Sequence, residues 1–154
     1  MANKKLLIIY YSEEGSTKEM AYDIGEGAHK WGVDVDVKKV EECQLNELLA
    51  ADGIVIGSPT YFSNVAWQVK KLIDESIALY NRGKPLRNKI GGCFTSAGTK
   101  RDAKECVTMM ELAFGFHHKM NMTPGIIKVS GDEEKTVKEM CQKYGADIAK
   151  QMIA

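Results

Sequence analysis

Leu6-Leu7-Ile8-Ile9-Tyr10-Tyr11 is an unbroken apolar run, and Ser12-Glu13-Glu14-Gly15-Ser16-Thr17 follows it directly. Apolar residues without alternation read as a strand covered on both faces, as in a parallel sheet. Parallel strands need long crossover connections, so this one run commits much of the chain to helices packed on a sheet. The loop after it is short and rich in hydroxyls, and it opens a helix. Ser12, Ser16 and Thr17 offer hydroxyl donors, Gly15 lets backbone N–H groups turn inward, and the helix N-terminus adds partial positive charge. A phosphate can sit at such a turn without any arginine. Taken alone, the loop fits equally well an ordinary strand-to-helix turn capped by Ser or Thr.

The remainder of the chain repeats this strand-then-helix pattern. Thr17 to Trp31 reads as an amphipathic helix with Thr17, Met20, Ala21, Ile24, Ala28 and Trp31 on one face. Gly25 and Gly27 weaken it and let it approach the sheet closely. Val33 to Lys38 alternates, as an edge strand with one wet face does. A short helix over Leu45 to Ala51 leads to a second buried run, Gly53 to Gly57, which enters the loop Ser58-Pro59-Thr60-Tyr61-Phe62-Ser63-Asn64. A long helix is expected from Val65 to Tyr80, with Val65, Val69, Leu72, Ile73, Ile77 and Tyr80 inward and Trp67 off the stripe. A strand over Lys89 to Phe94 ends at Thr95-Ser96-Ala97-Gly98-Thr99, and the helix after it turns Ala103, Cys106, Val107, Met110, Ala113, Phe114 and His117 inward. His118 falls on the solvent side. Met122 to Val129 is the fifth strand, an edge strand because Pro124 removes a ladder donor. Ser130 and Glu133 stand at capping-box spacing before a final helix that buries Val137, Met140, Cys141, Tyr144, Ile148 and Met152.

Five strands alternating with helices give an α/β fold: a three-layer, doubly wound, five-stranded parallel sheet in one domain over 1–154, with strand order 2-1-3-4-5. In that order strands 1, 3 and 4 are neighbours. Their C-terminal loops meet at one crevice beside the switch point, and those loops are the hydroxyl- and glycine-rich ones.

Composition narrows the function classes. Lysine plus arginine balances aspartate plus glutamate at 21 each, so no global field selects nucleic acid or an anionic membrane. No apolar run approaches the roughly 20 residues of a membrane span. Met1-Ala2-Asn3-Lys4-Lys5 carries no cleavable signal pattern, which predicts a cytoplasmic chain. Cys43, Cys93, Cys106 and Cys141 have no C-x-x-C spacing, so they are expected as reduced, structural residues rather than metal ligands.

A flat ligand with a phosphate tail suits the three loops together. Ser12 to Thr17 would take the phosphate. Pro59, Thr60, Tyr61 and Phe62 would bring backbone polar groups and two aromatics to a ring system. Thr95, Ser96, Ala97 and Gly98 would add backbone N–H groups and leave room for a ring. Flavin mononucleotide (FMN) fits each part. The Ser12–Thr17 loop is similar to the flavodoxin phosphate loop. Gly57-Ser58-Pro59-Thr60-Tyr61-Phe62-Ser63-Asn64 with Gln68-Val69-Lys70 and Leu72-Ile73-Asp74 resembles the WrbA-like NAD(P)H:quinone oxidoreductases more closely, as do Phe94-Thr95-Ser96-Ala97-Gly98-Thr99 and His117-His118-Lys119-Met120.

This resemblance, which spans nearly the whole chain, implies a flavodoxin-like fold and FMN as cofactor. NADH or NADPH would be the electron donor and a quinone the acceptor. It places Ser12, Glu13, Glu14, Gly15, Ser16, Thr17, Thr60, Tyr61, Phe62, Ser96, Ala97, Gly98 and Thr99 around FMN. His117 matches a histidine near the flavin of a neighbouring subunit, and Tyr80 an aromatic at the substrate side. These two are the catalytic candidates, and the family assembly implies a homodimer or homotetramer, for which an exposed Trp67 would supply interface. The chain departs from the family in three places. Two carboxylates, Glu13 and Glu14, stand in the phosphate loop, and Lys100-Arg101-Asp102 replaces a glycine-richer stretch. The longer segments after the second strand and around the fifth are missing.

Other doubly wound readings fail on residues. A phosphoacceptor domain needs aspartates where Tyr10-Tyr11 and Gly57-Ser58 stand, and Gly25-Glu26-Gly27 lies inside a helix rather than after the first strand. An electron carrier passing electrons between redox proteins and an FMN-binding regulatory module without turnover both remain open. The zero net charge speaks against the carrier, whose docking face is usually acidic.

Overall fold

The computed structural model describes residues 3–154, so Met1 and Ala2, read above as part of a signal-free N-terminus, lie outside it. The expected order is present in its central sheet. β1 (Lys5–Tyr10) pairs in parallel with β2 (Asp34–Lys39) on one side and β3 (Gly53–Tyr61) on the other. β3 pairs in parallel with β5 (Ile90–Ala97). The far edge is formed by two short pieces, β6 (Asn121–Met122) and β7 (Ile126–Val129), both parallel to β5.

Helices cover both faces, as the unbroken apolar strands require. On one side, α1 (Ser16–His29) and α6 (Glu134–Ile153) bury Met20, Ile24, Cys141, Tyr144 and Ile148 against Leu6, Ile8, Val55 and Phe94. On the other lie α2 (Leu45–Ala50), α3 (Trp67–Glu75), α4 (Ile77–Tyr80) and α5 (Lys100–Glu111). Their Leu48, Val69, Leu72, Leu79, Cys106 and Met110 meet Leu7, Ile9, Ile54, Ile56 and Cys93. Cys93, Cys106 and Cys141 are buried and Cys43 is half-buried, all four as free thiols.

The two glycines of α1 have different neighbours. A Cβ at Gly25 would meet Val35, Val37 and Ile8 of the sheet at 3.1 to 3.5 Å, whereas one at Gly27 would stand 1.9 Å from the Gln142 carbonyl oxygen of α6. Gly145 mirrors it, at 1.9 Å from the Ile24 carbonyl oxygen. Gly27 therefore serves the helix–helix approach and not the sheet. Trp31 lies beyond the end of α1 and is exposed, with the Lys150 ammonium 4.4 Å from its ring centre, rather than on the buried face.

Five further expectations are corrected. The loop after Gly57 is largely strand: β3 runs on to Tyr61, reverses at Phe62 and Ser63 (φ 51° and 65°), and returns as the antiparallel β4 (Asn64–Val65). Positive φ at both central residues matches the twist of a two-residue hairpin, although neither is a usual residue there. The long helix is broken at Ser76, so Ile77 is exposed and Leu79 takes the inward position.

The fifth strand is interrupted at residues 123–125. Tyr144 fills that gap, its hydroxyl accepting from Cys93 N (3.0 Å) and donating to the Thr123 carbonyl (3.1 Å). The capping box before α6 does not form. Asp132 instead accepts from Val129 N at 2.9 Å, and Gly131 turns with φ 92°.

α5 continues into a π-helical turn, Leu112–His117, in which His118 N bonds to the Ala113 carbonyl five residues back. One extra residue per turn rotates the face. His118 therefore turns inward, 4% exposed, while His117 is exposed, the reverse of the pattern expected from an α-helical period.

Candidate functional site

Strand ends 1, 3, 5 and 7 lie side by side, so the loops that follow them surround one cavity of about 440 Å³ at the carboxyl edge of the sheet. Open α/β sheets bind ligands at this edge. The first wall is Ser12, Glu13, Glu14, Ser16 and Thr17; the second is Pro59, Thr60 and Tyr61; the third is Ser96, Ala97 and Gly98. Gly15, in the left-handed region at φ 104°, is the N-cap of α1, and its N–H bonds to Ser12 Oγ at 3.0 Å. The first-turn amides of α1 have no partner within the helix itself, and Ser16 and Thr17, which begin it, line the cavity.

Side-chain bonds tie the walls together. Thr17 Oγ1 lies 2.9 Å from Ser96 Oγ, and Thr60 Oγ1 lies 2.7 Å from Thr95 Oγ1. Tyr61 OH donates to Glu13 Oε2 at 3.0 Å, clasping the first wall to the second. Burial and then this bond push the Tyr61 phenol up to about 12, so it remains a donor at neutral pH.

Three expected ring or phosphate contacts sit elsewhere in the structure. Thr95 is fully buried beneath the cavity, donating to the Ser58 carbonyl at 2.7 Å. Thr99 caps α5, its hydroxyl accepting from Asp102 N. Phe62 is wholly exposed at the hairpin tip. A fourth wall was not anticipated from the sequence: Lys128, Val129, Ser130, Gly131, Asp132 and Glu134. Its signal was available, because the fifth strand ends at the same edge as the other three.

The catalytic candidates His117 and Tyr80 share a second cavity of about 770 Å³ with Ile73, Ser76, Ile77, Leu112 and His118, which has no lining residue in common with the first. Tyr80 meets both histidine rings edge-on, 6.3 and 6.0 Å between centres. Ser76 Oγ donates to the Ile73 carbonyl at 2.6 Å and so accepts from His118 Nε2 at 2.9 Å, leaving Nδ1 buried without a partner. Burial, then the neighbouring His117, hold His118 below its usual pKa.

The model of a known family, described as NADPH-dependent FMN reductase, matches residues 35–134. The chain belongs to that family. It is 32% identical over 136 residues to a protein named NAD(P)H dehydrogenase (quinone) from Sinorhizobium fredii, covering 75% of this chain and 68% of that one. In structure it is similar to a flavodoxin from the Archaea, with TM-score 0.84 and 27% identity over 97% of this chain and 99% of the other. It is also similar in fold to a WrbA-like flavodoxin from Agrobacterium tumefaciens, with TM-score 0.86 and 23% identity over 98% of each chain. The three-layer sheet and its strand order are thus those of flavodoxin-like proteins. Among the described residues no helix is long and apolar enough to cross a membrane.

Proposed function

We propose that this chain is an FMN-dependent oxidoreductase that takes electrons from NADH or NADPH and passes them to a quinone. The observation that carries the reading is the convergence of three strand-end loops, two hydroxyl-rich and one aromatic, on a single cavity at the sheet's switch point. The donor set fits FMN. The hydroxyls of Ser12, Ser16 and Thr17 and the first-turn amides of α1 suit a phosphate, because they are neutral donors backed by a helix end. Pro59, Tyr61 and Ala97 would supply apolar contact to a flat ring, and the backbone of Thr60, Ser96 and Gly98 would supply polar groups to it. Glu13 fits because its carboxylate is committed to Tyr61, while Glu14 is exposed. Bound FMN supplies two-electron redox chemistry; the protein's part is to hold it, exclude water and tune it through backbone contacts.

Tyr80 and His117 belong to a face rather than to this cavity, so their role toward a flavin is exercised across a subunit contact. Ile77, Leu112 and Phe116 are exposed on that side, which supports assembly as a homodimer or homotetramer. Anaerobic mixing with NADH or NADPH tests the function. The enzyme reading predicts rapid bleaching of the FMN-loaded protein and recovery of colour on adding a quinone. A flavodoxin-type carrier is the second reading, favoured by the match to 99% of the archaeal flavodoxin's length. It predicts no bleaching unless a separate reductase is supplied.

A further inference from the structure

We infer that Lys128 makes the cavity select the phosphorylated flavin over riboflavin, which lacks the phosphate; this rests on the flavin reading of the cavity. Lys128 is the one charged residue of β7, whose other members are Ile126, Ile127 and Val129. It pairs in register with Ser96, which lines the cavity. Its half-buried side chain crosses toward the start of α1, where Nζ lies 3.4 Å from Ser16 Oγ as a hydrogen-bond donor. Glu19, Asp23 and Glu134 line the same cleft between α1 and α6, yet among the described residues Lys128 forms no ion pair within 4 Å.

An ammonium directed at the N-terminus of a helix stands against the helix dipole. Two positive elements therefore converge where three hydroxyls already face the cavity. An anion bridging them removes the conflict and gains a charge-assisted hydrogen bond. The other charges lining the cavity are acidic. Glu13 is engaged by Tyr61 and Asp132 by Val129 N, while Glu14 and Glu134 are exposed. Without Lys128, a phosphate near charge −2 would meet carboxylates alone. A neutral riboflavin would not feel the difference.

Flavin-free protein, titrated by fluorescence quenching with FMN and separately with riboflavin, tests this in wild type, Lys128→Met and Lys128→Arg. Wild type is expected to prefer FMN. Lys128→Met should lose about 10- to 100-fold in FMN affinity, the range of one charged hydrogen bond. Its riboflavin affinity should be unchanged, which also shows that the variant is folded, and Lys128→Arg should restore most of the preference. An FMN loss below 2-fold, or an equal loss for both flavins, overturns the inference while leaving the flavin site standing. Failure of wild type to bind either flavin overturns both.

Discussion

Replacing Gly27 with alanine sets two effects of opposite sign against each other. In the interior of α1, alanine is favoured over glycine by about 1 kcal/mol through helix propensity alone. Packing opposes it. The new methyl would stand 1.9 Å from the Gln142 carbonyl oxygen, with Gln142 C and Cα at 2.6 and 2.7 Å. All three are backbone atoms of α6, so no rotamer change relieves the contact, and the helices must part by more than about 1 Å in a close-packed interior. Overpacking of this kind costs about 1–3 kcal/mol or more, so Gly27→Ala is expected to destabilise despite its better propensity.

Gly25→Ala is the internal control. Its methyl would meet only the ends of Val35, Val37 and Ile8 side chains at 3.1 Å and beyond. These can shift, and the propensity gain of about 1 kcal/mol offsets the crowding. Urea unfolding followed by circular dichroism compares the two at equal slope. Gly27→Ala should show the lower midpoint, with about 2–4 °C of Tm lost per kcal/mol at this chain length, and Gly25→Ala should stay close to wild type. A stabilised Gly27→Ala would refute the close approach of α1 and α6.

Three other perturbations have expected outcomes. Tyr144→Phe leaves Cys93 N without its acceptor in the gap of the fifth strand, and should cost about 1–3 kcal/mol of stability by urea unfolding. His118 is held below its usual pKa by burial, so the folded state binds its proton less well than the unfolded one. Its contribution to stability is present above about pH 6.5 and lost as pH falls through its lower folded value. Thermal melts of wild type should decline across that acid window, and His118→Gln should flatten the decline. Phe62→Asn with Ser63→Gly relieves two positive-φ residues, each costing about 1 kcal/mol. It should raise Tm and leave FMN affinity within about 2-fold of wild type, because Phe62 buries nothing against the protein and lines no wall of the cavity.

Much of the architecture was legible because burial on both faces leaves a plain mark. Leu6 to Tyr10, Gly53 to Gly57 and the alternating Val35 and Val37 announce two central strands and one edge. The hairpin was hidden because Phe62-Ser63 is not the Asn-Gly or Asp-Gly pair that marks a two-residue turn; it shows only in the pairing of Thr60 with Val65 and Tyr61 with Asn64. The exchange of His117 and His118 was hidden because a π-helical turn adds a residue that a 3.6-residue period does not count. For the cavity, hydroxyls and glycine marked three walls, but Thr95 and Thr99 proved to be occupied by the fold's own carbonyl and amide groups. Lys128 escaped notice since one lysine in a short apolar edge strand reads as a solvated charge until the sheet places it beside Ser16.

The central claim is that this cavity holds FMN. Adding FMN to the purified chain, removing unbound flavin by gel filtration and recording the visible spectrum tests it most directly. The account predicts a yellow protein carrying one FMN per chain, with the flavin's fluorescence quenched. A colourless eluate, with fluorescence unchanged during the titration, would contradict it.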